Sequence, residues 1–398
     1  MSFSINRNNL THGLRLADGV GVEIGPLVNP VITREMSNVK YIDRASTEEL
    51  RQWYSRDEKI NVNEIMNIDY VWGEQSLAEA TGGVEQFDYC VASHVIEHIP
   101  DLITWLGEIA SILKPGGIAS FAVPDKRYTF DCKRADTTAA DLVENYLRKL
   151  RKPSYRHIFD HFSNFVEVDI NTAWSEGFDP DDLKPSKSAA DTYRACLEAR
   201  DQGRYVDSHC SVFTEPSFFD LLGVISELGF LDFRIKRNFS VRRGMFEFFV
   251  QLEKLEPGLS TQSKYQQYCD SLEQMLNTGL ELQFSANTAC HPKLYFSHSG
   301  GFNETESIEA AYPHAGNREI LNFPLPQLDS PQLRFDPAEV AAEFSIISAT
   351  LRNGSEIISI APDSWQPAQQ IAATEITHGE LRARTNPDAN DPALTLQV

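Results

Sequence analysis

Long apolar runs are missing from this 398-residue chain, and no stretch approaches the roughly 18 uninterrupted apolar residues of a membrane-crossing helix. The first residues, Met1 to Arg15, mix Asn, Arg and His with scattered apolar side chains and lack the apolar core of a secretion signal, so a cytoplasmic protein is expected. An excess of cations is missing too. With 36 Lys and Arg against 57 Asp and Glu, the formal charge is −21, and such a chain repels the phosphates that nucleic-acid binding must neutralise. DNA and RNA are therefore not expected partners. The 6 cysteines (Cys90, Cys132, Cys196, Cys210, Cys269, Cys290) form no CxxC pair and no dense framework, which argues against a zinc cluster and a disulfide scaffold alike and leaves reduced thiols. Internal repeats and low-complexity tracts are also absent. What remains is an ordinary globular composition, 41% hydrophobic and 23% charged, in a chain long enough for two or more cores.

The first third alternates short β-branched runs with amphipathic helical ones, the pattern of a parallel sheet flanked by helices. Strands are predicted at Gly19 to Ile24, Val39 to Ile42, Ile68 to Val71, Phe87 to Ala92 and Ile118 to Val123. Between the last two, Leu102, Trp105, Leu106, Ile109, Ile112 and Leu113 recur at helical spacing, and Lys114-Pro115-Gly116-Gly117 supplies the stop. From about Asp125 to Cys210 the alternation gives way to polar, His/Arg/Tyr-rich sequence that suits an insertion over the sheet edge. A helix capped by Thr214 and ended by Gly229 follows, then an antiparallel pair, Leu231 to Ile235 and Phe246 to Leu252. Past Leu255 a helical stretch over Gln262 to Leu282 leads into a β-rich tail in which Asn353-Gly354 marks a hairpin between Phe344 to Leu351 and Glu356 to Ile360.

Chemistry enters with Val22-Glu23-Ile24-Gly25-Pro26, a strand running into a tight turn, and with Asp43 at the end of the next strand. Ligands of open parallel sheets bind at the carboxyl ends of the strands, where a glycine admits close backbone approach and an acid accepts from ribose hydroxyls. A nucleoside-bearing cofactor follows. The turn lacks the second and third glycines of GxGxxG, which disfavours a pyrophosphate-binding NAD site and an oxidoreductase.

The run Phe87 to Asp101 followed by Leu113-Lys114-Pro115-Gly116-Gly117 resembles class I S-adenosylmethionine (SAM)-dependent methyltransferases over about Asn9 to Val123. The resemblance implies a Rossmann-like, doubly wound, mostly parallel sheet with an antiparallel last strand, and SAM as cofactor with S-adenosylhomocysteine as product. It implies that Glu23, Gly25 and Pro26 meet the methionine part of SAM, Asp43 the ribose, Trp72, Gly73 and Leu77 the adenine, and Ser93 and His94 the sulfonium. Two departures stand out: Pro26-Leu27 replaces a common second glycine, and Trp72 stands where an acid is usual. Trp72 reads equally as an adenine-stacking ring or as a core aromatic.

Methyl transfer to a hydroxyl needs a positioned acceptor and a base. The insertion offers Asp125, Tyr128, Asp131, His157, Asp160, His161 and His209. Asp125 is best placed by chain position, and His157 or His161 is the better base by intrinsic pKa, so these three are the expected catalytic residues. His98 is next in line. His157 with His161, and His94 with His98, stand four apart, but two such ligands without a third do not make a metal site, and none is expected. The cations Lys126, Arg127, Lys133, Arg134, Arg148, Lys149, Arg151, Lys152 and Arg156 read as a solvated face or as a trap for an anionic acceptor.

In the tail, Leu294-Tyr295-Phe296, Gly301 to Ser307 and Leu333 to Pro337 are similar to a sandwich-like accessory region found with enzymes of bacterial surface polysaccharide assembly. The expected layout is a methyltransferase domain over 1–255 with an acceptor-binding insertion at about 125–210, a helical connector over 256–285 and a β-rich module over 286–398. The expected function is methylation of an acceptor hydroxyl, on a small molecule or glycan such as a sugar or polysaccharide. An inactive SAM-binding scaffold and a small-molecule N- or O-methyltransferase unrelated to sugars are the alternatives.

Overall fold

The computed structural model describes residues 2–175, 177–203, 205–297, 302, 307–310, 312, 314–326, 332–354, 356–389 and 391–396. They belong to two compact units, Met1–Ser271 and Leu272–Val398.

The first unit is built on seven strands: β1 (Val20–Ile24), β2 (Asn38–Asp43), β3 (Tyr70–Val71), β4 (Phe87–Ser93), β5 (Leu113–Pro124), β6 (Phe233–Phe239) and β7 (Glu247–Lys254). They lie in the order β3-β2-β1-β4-β5-β7-β6, with β1 to β5 parallel and β7 antiparallel to both neighbours. This is the expected mostly parallel sheet with its reversed last strand. Burial on both faces explains the near-continuous apolar runs: Tyr89, Cys90, Val91 and Ala92 of β4 are all buried. Strand order reverses beside β1, whose neighbours are β2 and β4, and such a switch point opens a crevice at the strands' carboxyl ends.

Helices α1 (Ser2–Thr11), α2 (Thr47–Trp53), α3 (Leu77–Thr81) and α4 (Leu102–Ile112) accompany the parallel strands. The Asp101 side chain caps α4 by accepting the Thr104 N–H at 3.0 Å, and that helix buries Leu102, Ile103, Trp105, Leu106, Ile109 and Ile112. The expected insertion is largely helical, with α5 (Ala139–Leu147), α6 (Tyr155–Asn164), α7 (Ile170–Ala173) and α8 (Ala189–Gln202). Thr138, Ser154 and Ser188 cap three of them, and α6 meets α8 around Ile158, Cys196 and Ala199. The chain rejoins the sheet where Phe213 bridges Asp125, then forms α9 (Glu215–Glu227) behind the expected Thr214 cap. Among the described residues no helix is long and apolar enough to cross a membrane.

Helix α10 (Thr261–Leu276) stops short of the expected Leu282. Gly279 to Ala286 is instead strand β8, because Leu280, Leu282, Phe284 and Ala286 alternate at period 2 and all four are buried. The segment expected as a connector over 256–285 thus holds a helix and most of a strand.

The second unit continues with β9 (Lys293–Ser297), β10 (Ser307–Glu309), β11 (Glu319–Pro324), β12 (Gln332–Asp336), β13 (Glu343–Asn353), β14 (Glu356–Ile360), β15 (Trp365–Gln369), β16 (Ile371–Thr377), β17 (Glu380–Thr385) and β18 (Ala393–Leu396). Two antiparallel sheets result, ordered β10-β9-β12-β18-β15 and β11-β8-β13-β17-β16, with β14 added on β13. They face each other through Phe335, whose ring lies 5.8 Å from Phe284 and 5.9 Å from Phe323, the core of a two-sheet sandwich. The expected hairpin is present, with Asn353 paired to Glu356 around Gly354. Gly301 and Asn303 to Glu306 of the tail resemblance lie outside the described residues.

Tyr268 and Ser271 of α10 belong to the first unit. Tyr268 is 1% exposed and donates its hydroxyl to the Phe219 carbonyl, and the Ser271 hydroxyl accepts the Ile235 N–H at 3.0 Å. A chain ended after Asn277 is therefore expected to fold and bind SAM. One ended at Ser260 forfeits the buried Tyr268, a loss of about 3–5 kcal/mol judged from large-aromatic truncations. Thermal unfolding of the two fragments checks this, and equal melting temperatures would show that α10 adds nothing to the core.

Candidate functional site

At the carboxyl ends of β1, β2 and β4 lies a cleft lined by Gly25, Asp43, Trp72 and Gly73, four of the expected cofactor residues. Gly25 has φ 71°, and a Cβ there would come within 2.9 Å of Val95 Cγ2, so the position demands glycine on both counts. Its N–H donates to the Ile42 carbonyl at 2.9 Å and holds the turn against β2. Asp43 ends that strand. Its Oδ1 accepts the Arg44 N–H at 2.7 Å, and burial pushes its carboxyl up to about 6. Trp72 stands on the wall, its Nε1–H donated to Glu108 Oε2 at 2.9 Å. Glu108 Oε1 takes the Arg151 guanidinium at 2.6 Å, so one buried carboxylate of α4 fixes two parts of the wall. Arg44 lies over the Tyr205 ring, 3.8 Å from its centre, and donates to the Arg151 carbonyl at 3.1 Å. Glu108, Arg44 and Tyr205 were not singled out in the sequence as site residues, because no local motif marks them.

Other expected cofactor residues lie elsewhere. Glu23 is 2% exposed and its oxygens accept the N–H groups of Val31 and Ile32 at 2.7 and 2.9 Å; burial pushes it up to about 7. It folds the loop after β1 rather than lining the cleft. Pro26 is buried, and Leu77, 0% exposed, packs in the core where its N–H meets Glu108. Ser93 ends β4 and His94 follows it, both outside the cleft lining. His94 adopts φ 53°, a left-handed conformation rare for a side-chain-bearing residue. Its Nδ1 is 3.6 Å from Glu97 Oε1 and its Nε2 3.8 Å from Glu247 Oε2.

The expected catalytic trio is dispersed. Asp125 is fully buried, clamped by Arg127 at 2.8 and 2.6 Å, and also accepts the Glu215 N–H at 3.1 Å. Those bonds tie β5 to α9 and occupy both oxygens. His157 sits in the first turn of α6, where Nδ1 accepts the Ser154 N–H at 3.2 Å and Nε2 lies 3.3 Å from Asn145 Nδ2; burial pushes it down to about 4. His161 Nδ1 accepts the His209 N–H at 3.4 Å, and burial pushes this imidazole down to about 3.

A different group converges beside the cleft. His98, which lines it, bonds Asp207 Oδ1 through Nδ1 at 2.8 Å. Burial alone would lower its pKa, but that bond and the charge of Glu97 raise it to about 9. His209 meets His98 edge to face, ring centres 4.6 Å apart, and bonds Asp131 Oδ2 through its own Nδ1. Asp131 also takes Arg134 at 2.9 Å; against the cost of burial, His209 and Arg134 hold it down to about 2. Arg134 bridges onward to Asp160 at 2.8 Å. The Glu97 carbonyl accepts the N–H groups of Cys210 and Ser211 at 2.6 and 3.1 Å, which fixes His209 beside Glu97 and His98.

The basic run is largely spent internally. Lys126 pairs with Asp136, Lys133 with Asp181, Arg148 with Glu144, Lys152 with Glu74 and Arg156 with Asp141. With Arg127, Arg134 and Arg151 engaged as above, this is a paired face and not an anion trap.

Residues 16–179 match the family model described as a methyltransferase domain. Among solved structures, the chain is similar to a SAM-dependent methyltransferase of Thermotoga maritima (12% identity, 64% of this chain and 89% of that one, TM-score 0.32). It is similar to another from Methanosarcina mazei (17% identity, 61% and 96%, TM-score 0.31). A third is the 1,6-didemethyltoxoflavin-N1-methyltransferase of Burkholderia thailandensis, solved with S-adenosylhomocysteine (14% identity, 64% and 79%, TM-score 0.32). Likenesses this slight bear on neither acceptor nor mechanism. The matched segment carries β1 to β5, Gly25 and Asp43: it is a methyltransferase domain, and the enzyme it makes is S-adenosylmethionine-dependent.

Proposed function

We propose that the enzyme transfers the SAM methyl group to a hydroxyl oxygen of a sugar or polysaccharide. The observation that carries this reading is the pair of imidazole–carboxylate couples, His98–Asp207 and His209–Asp131, beside the cleft that holds Gly25 and Asp43. A hydroxyl is a poor nucleophile until its proton is drawn off, and an imidazole oriented by a carboxylate is the group suited to that task. His209, its ring fixed by Asp131, is the group proposed to promote loss of that proton.

Support for a polyhydroxylated acceptor comes from a second groove of the insertion, lined by Asp136, Asp141, Asn145, Arg156, Asp160 and Asn164 among others. Hydrogen bonds from Asp160 through Arg134 and Asp131 to His209 connect this groove with the cofactor side. So many polar groups suit a ligand with many hydroxyls better than an apolar ring. The sandwich of the second unit is consistent with the accessory region that the tail resembles.

The test is incubation of the purified enzyme with SAM and a panel of sugars, sugar nucleotides, oligosaccharides, phenols and amines, read by mass spectrometry of product and of S-adenosylhomocysteine. A methyl ether on a sugar is expected. Methylation of amines alone would overturn the oxygen reading, and SAM binding with no turnover on any class would favour an inactive scaffold.

A further inference from the structure

We propose that Glu97, His98 and His209 hold a first-row divalent cation at the rim of the cofactor cleft, where it binds the acceptor's hydroxyl oxygen. The inference rests on the reading of the enzyme as an oxygen methyltransferase. Each of the three residues offers one ligand atom, and these atoms lie within 4.8 Å of one another. Ligand bonds of roughly 2.0–2.2 Å bring such atoms to about 3.5 Å apart, so the set needs to close by no more than about an ångström on binding.

Four observations favour a built site. The Glu97 carbonyl fixes the distant His209 segment through its bonds to Cys210 and Ser211, so the three residues meet by backbone design. Glu97 is 2% exposed, and its Oε2 is buried without a hydrogen-bond partner, an arrangement that is costly for a carboxylate unless a cation answers it. Both imidazoles give their Nδ1 to a carboxylate, His98 to Asp207 and His209 to Asp131, which leaves each Nε2 as the ligand atom; this outer partner is the usual companion of metal-binding His. Finally, Glu97 and Asp207 pair with imidazoles, whereas Asp131 is answered by the Arg134 guanidinium.

An overlapping set, Asp131, His161 and His209, has similar spacing. It is the weaker choice, because Arg134 already neutralises Asp131 and the His161 Nδ1 already accepts the His209 N–H. Two imidazoles and one carboxylate suit zinc, iron(II) or manganese better than magnesium, which prefers oxygen and water. A hydroxyl bound to such a cation loses its proton to water. The oxygen lone pair then forms the O–CH3 bond as the C–S bond breaks toward sulfur, leaving neutral S-adenosylhomocysteine. His209 thereby contributes through the cation it holds.

The full chain, stripped of metal by chelator and dialysed, is titrated with Zn2+ by calorimetry and with Co2+ by visible absorption. One equivalent of each is expected to bind, with a Co2+ spectrum showing nitrogen ligands. Asp207→Asn is expected to weaken Zn2+ binding about 10–100-fold, and Glu97→Gln and His209→Ala by more, while the exposed His314→Ala leaves it unchanged. Circular dichroism and SAM binding establish that each variant is folded. Wild type that takes up neither ion, or Glu97→Gln and His209→Ala that bind as wild type does, would overturn the proposal. Tight uptake lost in His161→Ala but kept in Glu97→Gln overturns it in favour of the overlapping set. Sugar methylation that survives chelation undiminished rejects the cation and keeps the oxygen acceptor; specific metal uptake with no oxygen methylation does the reverse.

Discussion

Exchange of His209 for Ala is expected to lower kcat by about 10²- to 10⁴-fold while SAM affinity stays within about twofold of wild type, the range for loss of a group that handles the acceptor proton. The split follows from position. His209 is buried beside His98 but does not line the cleft proposed for the cofactor, which is formed by Gly25, Asp43, Trp72 and their neighbours. Its carboxylate partner predicts a graded companion. Asp131→Asn keeps the size of the side chain but loses the charge that orients the ring, so a smaller fall in kcat is expected with KM little changed. His157→Ala is the contrasting variant. Its ring is held within α6 by Ser154 and faces Asn145, so it is expected to cost stability rather than kcat. Single-turnover kinetics with calorimetric SAM binding decide the matter. A His209→Ala enzyme with normal kcat on the true acceptor would remove the imidazole–carboxylate group from the mechanism.

Exchange of Asp43 for Ala is expected to weaken SAM and S-adenosylhomocysteine binding by about 1.5–3 kcal/mol, roughly 10- to 150-fold, through loss of charged hydrogen bonds to the ribose hydroxyls. The carboxylate closes β2 on the cleft wall and is oriented by the Arg44 N–H. Asp43→Asn keeps one acceptor and is expected to lose less. A pH dependence follows from the same residue. Burial pushes its carboxyl up to about 6, so below that pH it is protonated in the free enzyme and must shed the proton to receive both hydroxyls as an anion. SAM affinity is therefore expected to fall as pH drops through 6, by up to about tenfold per unit, and to level off above it. Asp43→Ala flattens that profile. A variant that binds as tightly as wild type, with the pH profile intact, would place the ribose elsewhere.

Glycine, proline and β-branched patterns are local, and what depends on them was legible from the chain. The alternation across the first third determined the parallel sheet, and the turn at Gly25 with Asp43 pointed to the strand-end cleft that both residues line, since backbone torsion and strand-end position are short-range properties. The Thr214 cap and the Asn353-Gly354 hairpin were equally readable. Over Gly279 to Ala286 even local structure was ambiguous, because a helical run ends at Leu276 and period-2 alternation begins three residues later. The acceptor side was beyond a linear reading. Asp125 looked like the base by chain position, yet Arg127, two residues on, and the α9 N-terminus, brought in by the fold, occupy its oxygens. His209 stands 78 positions from Asp131, and the Glu97 carbonyl holds it beside His98 across a still longer gap. Whether a side chain is available for chemistry depends on which of its lone pairs and protons are already spent, and those partners are assembled by long-range packing that no spacing along the chain encodes.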